Sequence, residues 1–337
     1  VQTCALPICI RRKIWKDKKN INTMSTKYTF LLPAFKPDFF EVALRSIKSQ
    51  TLKDFKVLVS DDCSPHDLKS IYNKVCGDDA RFSYRRNEVN MGNKSLVSHW
   101  NLLVDMCDTE YFILASDDDV YEPTFLEEVD KLAKKYPEVD LIRARVKAIN
   151  ENGEMIEKDA IYEEYVDGLD FLKQKHFNNA LRCIANYVFR TSELKKHGGF
   201  VEFPLAWYSD DATVMMMSEH GAANTKDMLL NFRSSSISIS SRKLNKTDAY
   251  KKALATIQFD KWFQENIESR LRSYVQNDYT KRVQNFVNHV HGSFMYQMFS
   301  FFSSNCKSSD FRKLLSHYKG NMKKSRLLYN YIRSKMK

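Results

Sequence analysis

Long apolar runs are missing from this sequence of 337 residues. The longest candidate covers residues 294–302, where Gln297 and Ser300 interrupt it. A membrane-spanning helix needs roughly 18 apolar residues. The sequence therefore predicts a protein that does not span a membrane.

Cysteines are few and form no recognisable pattern. Of the seven, Cys4 and Cys9 lie near the N-terminus. The other five are scattered, with no C-x-x-C pair: Cys63, Cys76, Cys107, Cys183 and Cys306. This distribution argues against a disulfide framework and a structural zinc site. It favours a reducing, cytoplasmic location.

Glycine-rich phosphate-binding motifs are also missing. The nine glycines form neither G-x-G-x-x-G nor G-K-[ST], which excludes the dinucleotide-binding and P-loop classes. No recognised nucleic-acid-binding motif accompanies the basic residues, so nucleic acid is not an expected partner.

The N-terminal stretch lacks the apolar core and cleavage site of a signal peptide. Residues 1–8 resemble, residue for residue, the in-frame translation of a common sequencing-library adapter. We expect residues 1–24 to be a disordered leader outside the folded body, and Met24 to be the natural first residue.

The net charge of +11 is unevenly distributed along the chain. Residues 1–24 carry +5, and residues 245–337 carry +12 from 18 basic and 6 acidic side chains. Residues 25–244 are therefore acidic, at −6. An acidic body favours binding of a cation, whereas a basic tail favours an anionic surface.

The first half of the chain alternates short apolar runs with helical periodicity, which favours βα units and a mainly parallel sheet. Predicted strands cover residues 28–32, 56–60, 82–84, 111–115 and 139–144. Asp38 with Glu41, and Thr124 with Glu127, have the spacing of helix capping boxes. From about residue 245 the pattern is helical, with one apolar stripe formed by Val283, Phe286, Val287, Val290, Phe294 and Met298.

Two acidic clusters follow predicted strands. Asp61-Asp62 ends one strand, and Asp117-Asp118-Asp119 follows another. Ligands bind at this edge of open α/β sheets. Mg²⁺ and Mn²⁺ prefer carboxylate oxygens, often together with substrate phosphates. The triplet therefore predicts a divalent-metal site, with a solvated turn or an incidental calcium loop as open alternatives.

A series of motifs between Lys27 and Gly221 resembles those of the family 2 glycosyltransferases. In order they are Leu32-Pro33-Ala34-Phe35, Ser46-Ile47-Lys48-Ser49-Gln50-Thr51, Val57 to Ser64, Asn90-Met91-Gly92 with Asn101, Ser116 to Asp119 with Pro123, Gly198-Gly199-Phe200, and Ser209-Asp210-Asp211. Each motif is weak alone, but their order and spacing are specific. The resemblance implies a GT-A fold over 25–240, which is a Rossmann-like α/β domain with a mainly parallel sheet flanked by helices. A basic helical extension would occupy 241–337.

The resemblance also implies a nucleotide site. Pro33 and Phe35 would shape the pocket for the base, Asp62 would contact the base, and Asp117 would meet the ribose. Three positions depart from the family pattern, because Lys36 replaces an asparagine, Cys63 replaces a glycine and Ser116 replaces an acid.

The same resemblance implies the chemistry. Asp118 would be the principal ligand of a divalent ion, with Asp119 beside it. Asp211 would be the catalytic base, with Asp210 as the near alternative, since the family usually has Glu-Asp here. The structural alternative is a helix N-cap at Ser209 or Asp210. A metal-binding histidine found in some relatives is not evident near residues 233–241.

The implied activity is that of an inverting, non-processive transferase, because the Q-x-x-R-W motif of processive synthases is absent. It would move one sugar from a nucleotide diphosphate donor, expected to be a UDP-sugar, to a glycan or lipid-linked acceptor in surface polysaccharide or glycolipid assembly. The basic tail and its stripe would dock on the inner face of an anionic membrane. Two alternatives are a non-catalytic nucleotide-sugar-binding module and a haloacid-dehalogenase-type phosphatase. The second is an alternative because Asp117 to Val120 also resembles the D-x-D-x-[TV] motif of those phosphatases.

Overall fold

The computed structural model describes residues 26–177, 181, 183–235, 245–273, 279–305, 307–318 and 324–335. The strands are β1 (Tyr28–Ala34), β2 (Phe55–Asp61), β3 (Phe82–Arg86), β4 (Tyr111–Leu114), β5 (Val120–Tyr121), β6 (Leu141–Ile149), β7 (Met155–Lys158), β8 (Tyr165–Val166), β9 (Tyr187–Arg190) and β10 (Ala222–Arg233). The helices are α1 (Phe40–Lys48), α2 (Leu68–Cys76), α3 (Gly92–Met106), α4 (Phe125–Lys135), α5 (Gly168–Phe177), α6 (Thr191–Lys196), α7 (Ser209–Met217), α8 (Lys246–Phe263), α9 (Ser269–Ser273), α10 (Tyr279–Asn305), α11 (Ser308–His317) and α12 (Lys324–Lys335). The predicted leader, residues 1–24, lies outside the described residues.

The strands form one mixed sheet in the order β3-β2-β1-β4-β9-β6-β10-β5, with β7 beside β6 and β8 beside β10. β1 runs parallel to β2 and β4, and β6 runs parallel to β10. Only β9, antiparallel to both of its neighbours, separates these two parallel groups. The predicted mainly parallel α/β sheet is confirmed.

Both faces of the sheet are covered, because side chains alternate along each strand. Phe30 of β1 packs in one apolar cluster with residues of α1, α2 and α4. The next residue, Leu31, packs on the other face with residues of α3 and α6. This double coverage explains why the parallel strands read as continuous apolar runs.

The C-terminal helices form a third apolar cluster together with α7. The predicted stripe on α10 is confirmed as an apolar face, since its six residues are at most 3% exposed. Phe294 packs against Phe259 and Phe263 of α8 and against Tyr208. The stripe is therefore interior, which corrects the prediction that it faces a membrane. Among the helices described here, none is long and apolar enough to cross a bilayer.

Both predicted capping boxes are wrong. Neither α1 nor α4 has a side-chain hydrogen bond at its N-cap. Glu41 instead forms ion pairs with Arg45 and Lys74. Glu127 accepts a hydrogen bond from the Thr51 hydroxyl at 3.1 Å. Glu41 and Glu127 thus bind side chains that are distant in the sequence, Lys74 and Thr51, instead of the N-cap backbone.

The helical region begins soon after the sheet ends. β10 ends at Arg233 and α8 begins at Lys246, where Asn245 caps the helix by accepting from the Asp248 N–H. The predicted boundary at residues 240 and 241 falls in the segment 236–244, outside the described residues.

Candidate active site

The carboxyl ends of β1, β2 and β4 meet at one edge of the sheet. β1 pairs with β2 as far as Ala34 and Asp61, but with β4 only as far as Leu31 and Leu114. Pro33 follows this last pair, so its missing N–H costs no hydrogen bond to β4. The register thus brings both predicted acidic clusters to the same edge.

Asp117 closes the end of β1. Its Oδ2 accepts hydrogen bonds from the backbone N–H groups of Phe35 and Lys36, each at 2.8 Å. Burial raises the pKa of Asp117, although the Lys36 ammonium opposes this shift. The Phe35 ring remains 38% exposed at this edge, where an aromatic face can stack on a planar base.

Asp118 lies against a cation that the chain itself supplies. Lys36 Nζ donates to Asp118 Oδ2 at 2.6 Å and lies 3.5 Å from Asp117 Oδ1. The Ser116 hydroxyl donates to the other oxygen of Asp118, Oδ1. Burial alone would lower the pKa of Lys36, but the charges of Asp117 and Asp118 outweigh burial and raise it. The ammonium is therefore protonated at neutral pH.

Asp119 is attached to the end of β10. Its Oδ1 accepts from the Arg233 backbone N–H at 2.9 Å, while Arg233 Nε donates to the Asp118 carbonyl at 3.0 Å. Arg233 Nη1 also donates to the carbonyls of Asn150 and Glu151. Burial and the Asp118 charge raise the pKa of Asp119 well above its ordinary value. Arg233 thus fixes the acidic turn between β10 and the end of β6.

Asp62 organises the loop that precedes α3. Its Oδ1 accepts from Asn87 Nδ2 and from the Met91 N–H, each at 2.8 Å, and its Oδ2 accepts from the Gly92 N–H at 2.7 Å. A Cβ at Gly92 would lie only 2.9 Å from Asp62 Oδ2, so this approach requires glycine. A carboxylate has about four acceptor positions, which leaves Asp62 capacity for a ligand donor.

The polar residues of the α1 motif hold the segment that follows the acidic turn. Ser46 Oγ accepts from the Tyr121 N–H at 3.1 Å. Gln50 Nε2 donates to the Glu122 carbonyl at 2.9 Å, and Gln50 Oε1 accepts from the Leu126 N–H at 3.0 Å. This motif is therefore structural, because it fixes β5 and the first turn of α4.

The Gly198-Gly199-Phe200 turn is fixed to α3 by Asn101. Gly199 has a φ of 94°, and a Cβ there would lie 2.5 Å from Asn101 Oδ1. That oxygen accepts from the Phe200 N–H at 2.7 Å, and Asn101 Nδ2 donates to the Phe200 carbonyl at 3.2 Å. The residues after this turn bind α7, since the Val201 N–H donates to Thr213 Oγ1 at 3.0 Å and the Phe203 N–H donates to Ser209 Oγ at 3.1 Å.

The two aspartates at the start of α7 have different surroundings. The N-cap of α7 is Tyr208, with no side-chain cap hydrogen bond, so the N-cap alternative for Ser209 or Asp210 is wrong. Asp211 is 6% exposed, and its Oδ1 lies 2.9 Å from Nζ of Lys175, which is 4% exposed. Asp210 is half-buried.

The buried thiol of Cys183 relates Asp210 to the acidic turn. Burial raises the pKa of Cys183 well above its ordinary value, and the carboxylates of Asp119 and Asp210 add to this rise. The charges of Asp119 and Asp210 therefore act on the same buried thiol. Asp211 instead lines a small cavity with Lys175 and the aromatic side chains of the C-terminal helices.

The acidic turn already holds one cation, the Lys36 ammonium. Across the described ranges, no group of three or more His, Cys, Asp or Glu side chains could hold a metal by itself. Asp117 and Asp118 nevertheless already bind the Lys36 ammonium. One or two carboxylates plus substrate phosphates are a usual Mg²⁺ environment. The sequence shows no evident histidine ligand near residues 233–241. Residues 236–241 of this segment lie outside the described residues.

Sequence comparison identifies the family. A sequence model described as "Glycosyl transferase family 2" matches residues 30–198. This chain belongs to glycosyl transferase family 2. Protein CgeD of Bacillus subtilis (strain 168) is 23% identical over 173 residues, which are 48% of this chain and 40% of CgeD. The family 2 chain thus spans less than half of that curated relative.

Solved structures share the fold of this family 2 chain. S. aureus TarS 1-349 has a TM-score of 0.59 at 15% identity, covering 86% of this chain and 79% of TarS. Its complex with UDP-GlcNAc has a TM-score of 0.57 at 16% identity, covering 92% and 90%. The mannosyltransferase PcManGT from Pyrobaculum calidifontis, in complex with GDP-Man and Mn²⁺, has a TM-score of 0.51 at 12% identity, covering 92% and 81%. The predicted GT-A fold is confirmed.

Proposed function

We propose that this chain transfers one sugar from a nucleotide diphosphate donor to an acceptor hydroxyl, with inversion at the anomeric carbon. The observation that carries the proposal is the acidic turn, where Asp117 and Asp118 lie at the carboxyl edge of the sheet beside the Lys36 ammonium. Membership of family 2 supports the transferase class. The UDP-GlcNAc and GDP-Man complexes of the similar structures support a nucleotide-sugar donor.

The end of β1 would bind the nucleoside. The exposed Phe35 ring offers a stacking surface for the base, with Pro33 beside it. Asp62 has acceptor capacity for an N–H of the base, and Asp117 has its Oδ1 available for a ribose hydroxyl in addition to its contact with Lys36. A UDP-sugar is the proposed donor, which the UDP-GlcNAc complex of the similar TarS structure supports.

Sugar transfer leaves negative charge on the departing diphosphate. Lys36 lies where it can donate to a phosphate oxygen, and Ser116 holds Asp118 in a fixed orientation. A divalent ion bound by Asp118, with Asp119 behind it, would offset the developing charge. Burial of these groups strengthens such electrostatic effects, because water screens them only partly.

We assign the general base to Asp210 rather than to Asp211. Asp211 is engaged with the buried Lys175 ammonium, which favours a structural role. Asp210 is more exposed, and its charge acts on the same thiol as that of Asp119. A partly exposed carboxylate at the start of α7 can accept the proton of the attacking hydroxyl. The acceptor would be a glycan or lipid-linked hydroxyl, in surface polysaccharide or glycolipid assembly.

The phosphatase alternative has less support. In haloacid dehalogenases the acidic motif follows the first strand, whereas here it follows β4. One oxygen of Asp117 is also occupied by two backbone N–H groups.

The test is release of nucleoside diphosphate from a panel of UDP-, GDP- and dTDP-sugars, each with Mn²⁺ or Mg²⁺. We expect release with at least one donor and a fall of about 10²-fold or more for Asp118→Asn. Asp108→Asn, which removes an exposed carboxylate far from the turn, is the matched control. Release of phosphate from simple phosphate esters, without turnover of any nucleotide sugar, would contradict the proposal.

A further inference from the structure

We propose that Lys36 is an internal counter-ion that competes with a divalent metal for Asp118, so that tight metal binding requires the donor diphosphate. The competition concerns only residues of this chain. The identity of the diphosphate rests on the proposed function.

Lys36 is held at the acidic turn by both its backbone and its side chain. Its N–H donates to Asp117 Oδ2 at 2.8 Å. Its Nζ donates to Asp118 Oδ2 at 2.6 Å and lies 3.5 Å from Asp117 Oδ1. The side chains are 27% exposed for Lys36 and 8% and 9% for the two aspartates, so solvent screens this ion pair only partly.

The oxygens nearest to Lys36 are those that a metal would need. Asp117 Oδ2 is occupied by two backbone N–H groups, and Asp118 Oδ1 by the Ser116 hydroxyl. Asp119 Oδ1 is occupied by the Arg233 N–H. The two carboxylate oxygens that face the ammonium are Asp117 Oδ1 and Asp118 Oδ2, so a metal bound at Asp118 Oδ2 would displace Lys36 or lie against its charge.

A diphosphate would remove this conflict. Its oxygens can coordinate the metal together with Asp118. They also offer the Lys36 ammonium a new set of anionic acceptors. Metal and donor are therefore expected to bind with positive coupling, whereas either one alone faces the Lys36–Asp118 ion pair.

The experiment is a Mn²⁺ titration of the full chain followed by the electron paramagnetic resonance signal of free Mn²⁺, first without nucleotide. Lys36→Met keeps the length of the side chain but removes the charge. We expect it to bind Mn²⁺ at least about tenfold more tightly than the parent protein. Lys56→Met, which removes an exposed lysine paired with Asp108, is the matched control and should leave the affinity unchanged. Adding Asp118→Asn to Lys36→Met should abolish the gain.

Equal Mn²⁺ affinity of the parent and Lys36→Met, or weaker binding by the variant, would overturn the proposal. Circular dichroism and the melting temperature establish that each variant is folded, and Lys36→Gln repeats the test with a polar side chain. A second titration with UDP tests the coupling: UDP should strengthen Mn²⁺ binding more in the parent than in Lys36→Met. If UDP binds and Lys36→Met shows no gain without it, the inference fails while the nucleotide site stands. If Lys36→Met shows the gain but UDP has no effect in either protein, the competition stands, while the donor coupling and the assignment of a UDP-sugar donor both fail.

Discussion

The carboxyl edge of the sheet and the C-terminal helices use charge in opposite ways. At the edge, Asp62, Asp117, Asp118 and Asp119 are at most 7% exposed, and backbone N–H groups or cations of the chain hold them. In α8 to α12 the interior is largely aromatic and aliphatic. The region 245–337 nevertheless carries a net charge of +12. The edge thus buries acidic groups where a ligand can use them, while the helices bury a largely apolar interior that contains a few charged groups, such as Lys252, Asp260 and Glu268.

The two regions meet at the start of α7, in neighbouring residues. Asp210 is the more exposed of the two, and we assign it to the chemistry at the sheet edge. Asp211 belongs with the helices, because it pairs with Lys175 and lines a cavity beside Phe259 and Phe294. Each prediction below separates the two regions or tests their connection.

The largest effects are expected from the two aspartates. Asp210→Asn should lower kcat by about 10²–10⁴-fold, because it removes the proton acceptor. Asp211→Asn should instead destabilise the protein by about 3–5 kcal/mol, since it leaves the Lys175 ammonium buried without its carboxylate. Steady-state kinetics and urea unfolding measure the two quantities. The assignment would be contradicted if Asp211→Asn stays folded and its kcat falls by the about 10²–10⁴-fold expected for Asp210→Asn. Asp211 would then be the general base.

A cavity in the helical cluster should affect stability without affecting chemistry. Phe294 is 3% exposed and packs on four other rings, Tyr208, Phe259, Phe263 and His176. Phe294→Ala is expected to lower the unfolding free energy by about 3–5 kcal/mol. Tyr296→Ala, at a side chain that is 76% exposed on the same helix, is the control. A stability loss below about 1 kcal/mol would mean that the cluster is not a packed core.

The stripe of α10 is buried, so the predicted contact with a membrane would have to be made by basic residues of the C-terminal helices and by exposed apolar residues of α12. The outer face of α12 exposes Leu328, Tyr329 and Ile332 at 44%, 62% and 51%. The exposed basic side chains of α11 and α12 include Arg312, Lys324 and Arg333. We predict that this surface binds anionic lipid.

Neutralising Arg312, Lys324 and Arg333 to Gln should weaken binding to anionic vesicles by about 1 kcal/mol for each charge that contacts the membrane. Co-sedimentation at low and high salt measures this loss, since screening should remove the same contribution. The control neutralises Lys94, Lys196 and Lys226, which are exposed on the sheet domain. Equal binding to neutral and anionic vesicles would remove the electrostatic contact.

A smaller, pH-dependent effect is expected where α8 meets α10. His291 Nδ1 lies 2.5 Å from Asp260 Oδ1, and Nε2 lies 3.1 Å from Glu268 Oε2. Burial alone would lower the pKa of His291, but these two carboxylates outweigh burial and raise it. A raised pKa in the folded state gives stability that is complete below about 6.5 and is lost as pH rises through the folded value. His291→Gln should therefore destabilise the protein more at about pH 6 than at about pH 9, as measured by urea unfolding. A loss that is the same at both pH values would contradict the assignment.

The smallest effect is expected at Cys63, which follows Asp62 and stands where the family usually has a glycine. Cys63 has a φ of 56°, in the left-handed region that favours glycine. Cys63→Gly is expected to raise the unfolding free energy by about 0.5–1 kcal/mol. Cys63→Ser keeps the Cβ, so it should show no gain. Destabilisation by glycine would mean that contacts of the thiol outweigh the backbone cost.

The sequence predicted elements whose cause is local or periodic. The presence of β1, β2, β3, β4 and β6 and the apolar face of α10 follow from patterns within a few residues, although β6 ends at Ile149 rather than at the predicted residue 144. The sequence could not show what covers that face, since its partners on α8 are about thirty residues away in the chain. The capping boxes failed for the same reason, because Glu41 and Glu127 found partners elsewhere in the fold.

The two cations of the acidic turn were not predictable from pattern. Lys36 appeared only as a departure from the family, and its contact with Asp118 joins residues 82 positions apart. Arg233 binds Asp119 across 114 positions. Neither residue belongs to a spacing motif, so only the folded register of β1, β4 and β10 brings them to the aspartates.

The most direct test of the central claim is a crystal structure of the full chain with UDP and Mn²⁺. We predict the base against Phe35 and Asp62, the ribose at Asp117, and the diphosphate between Lys36 and Mn²⁺ on Asp118. Nucleotide bound at any other surface, or a diphosphate that contacts neither Lys36 nor Asp118, would contradict the account.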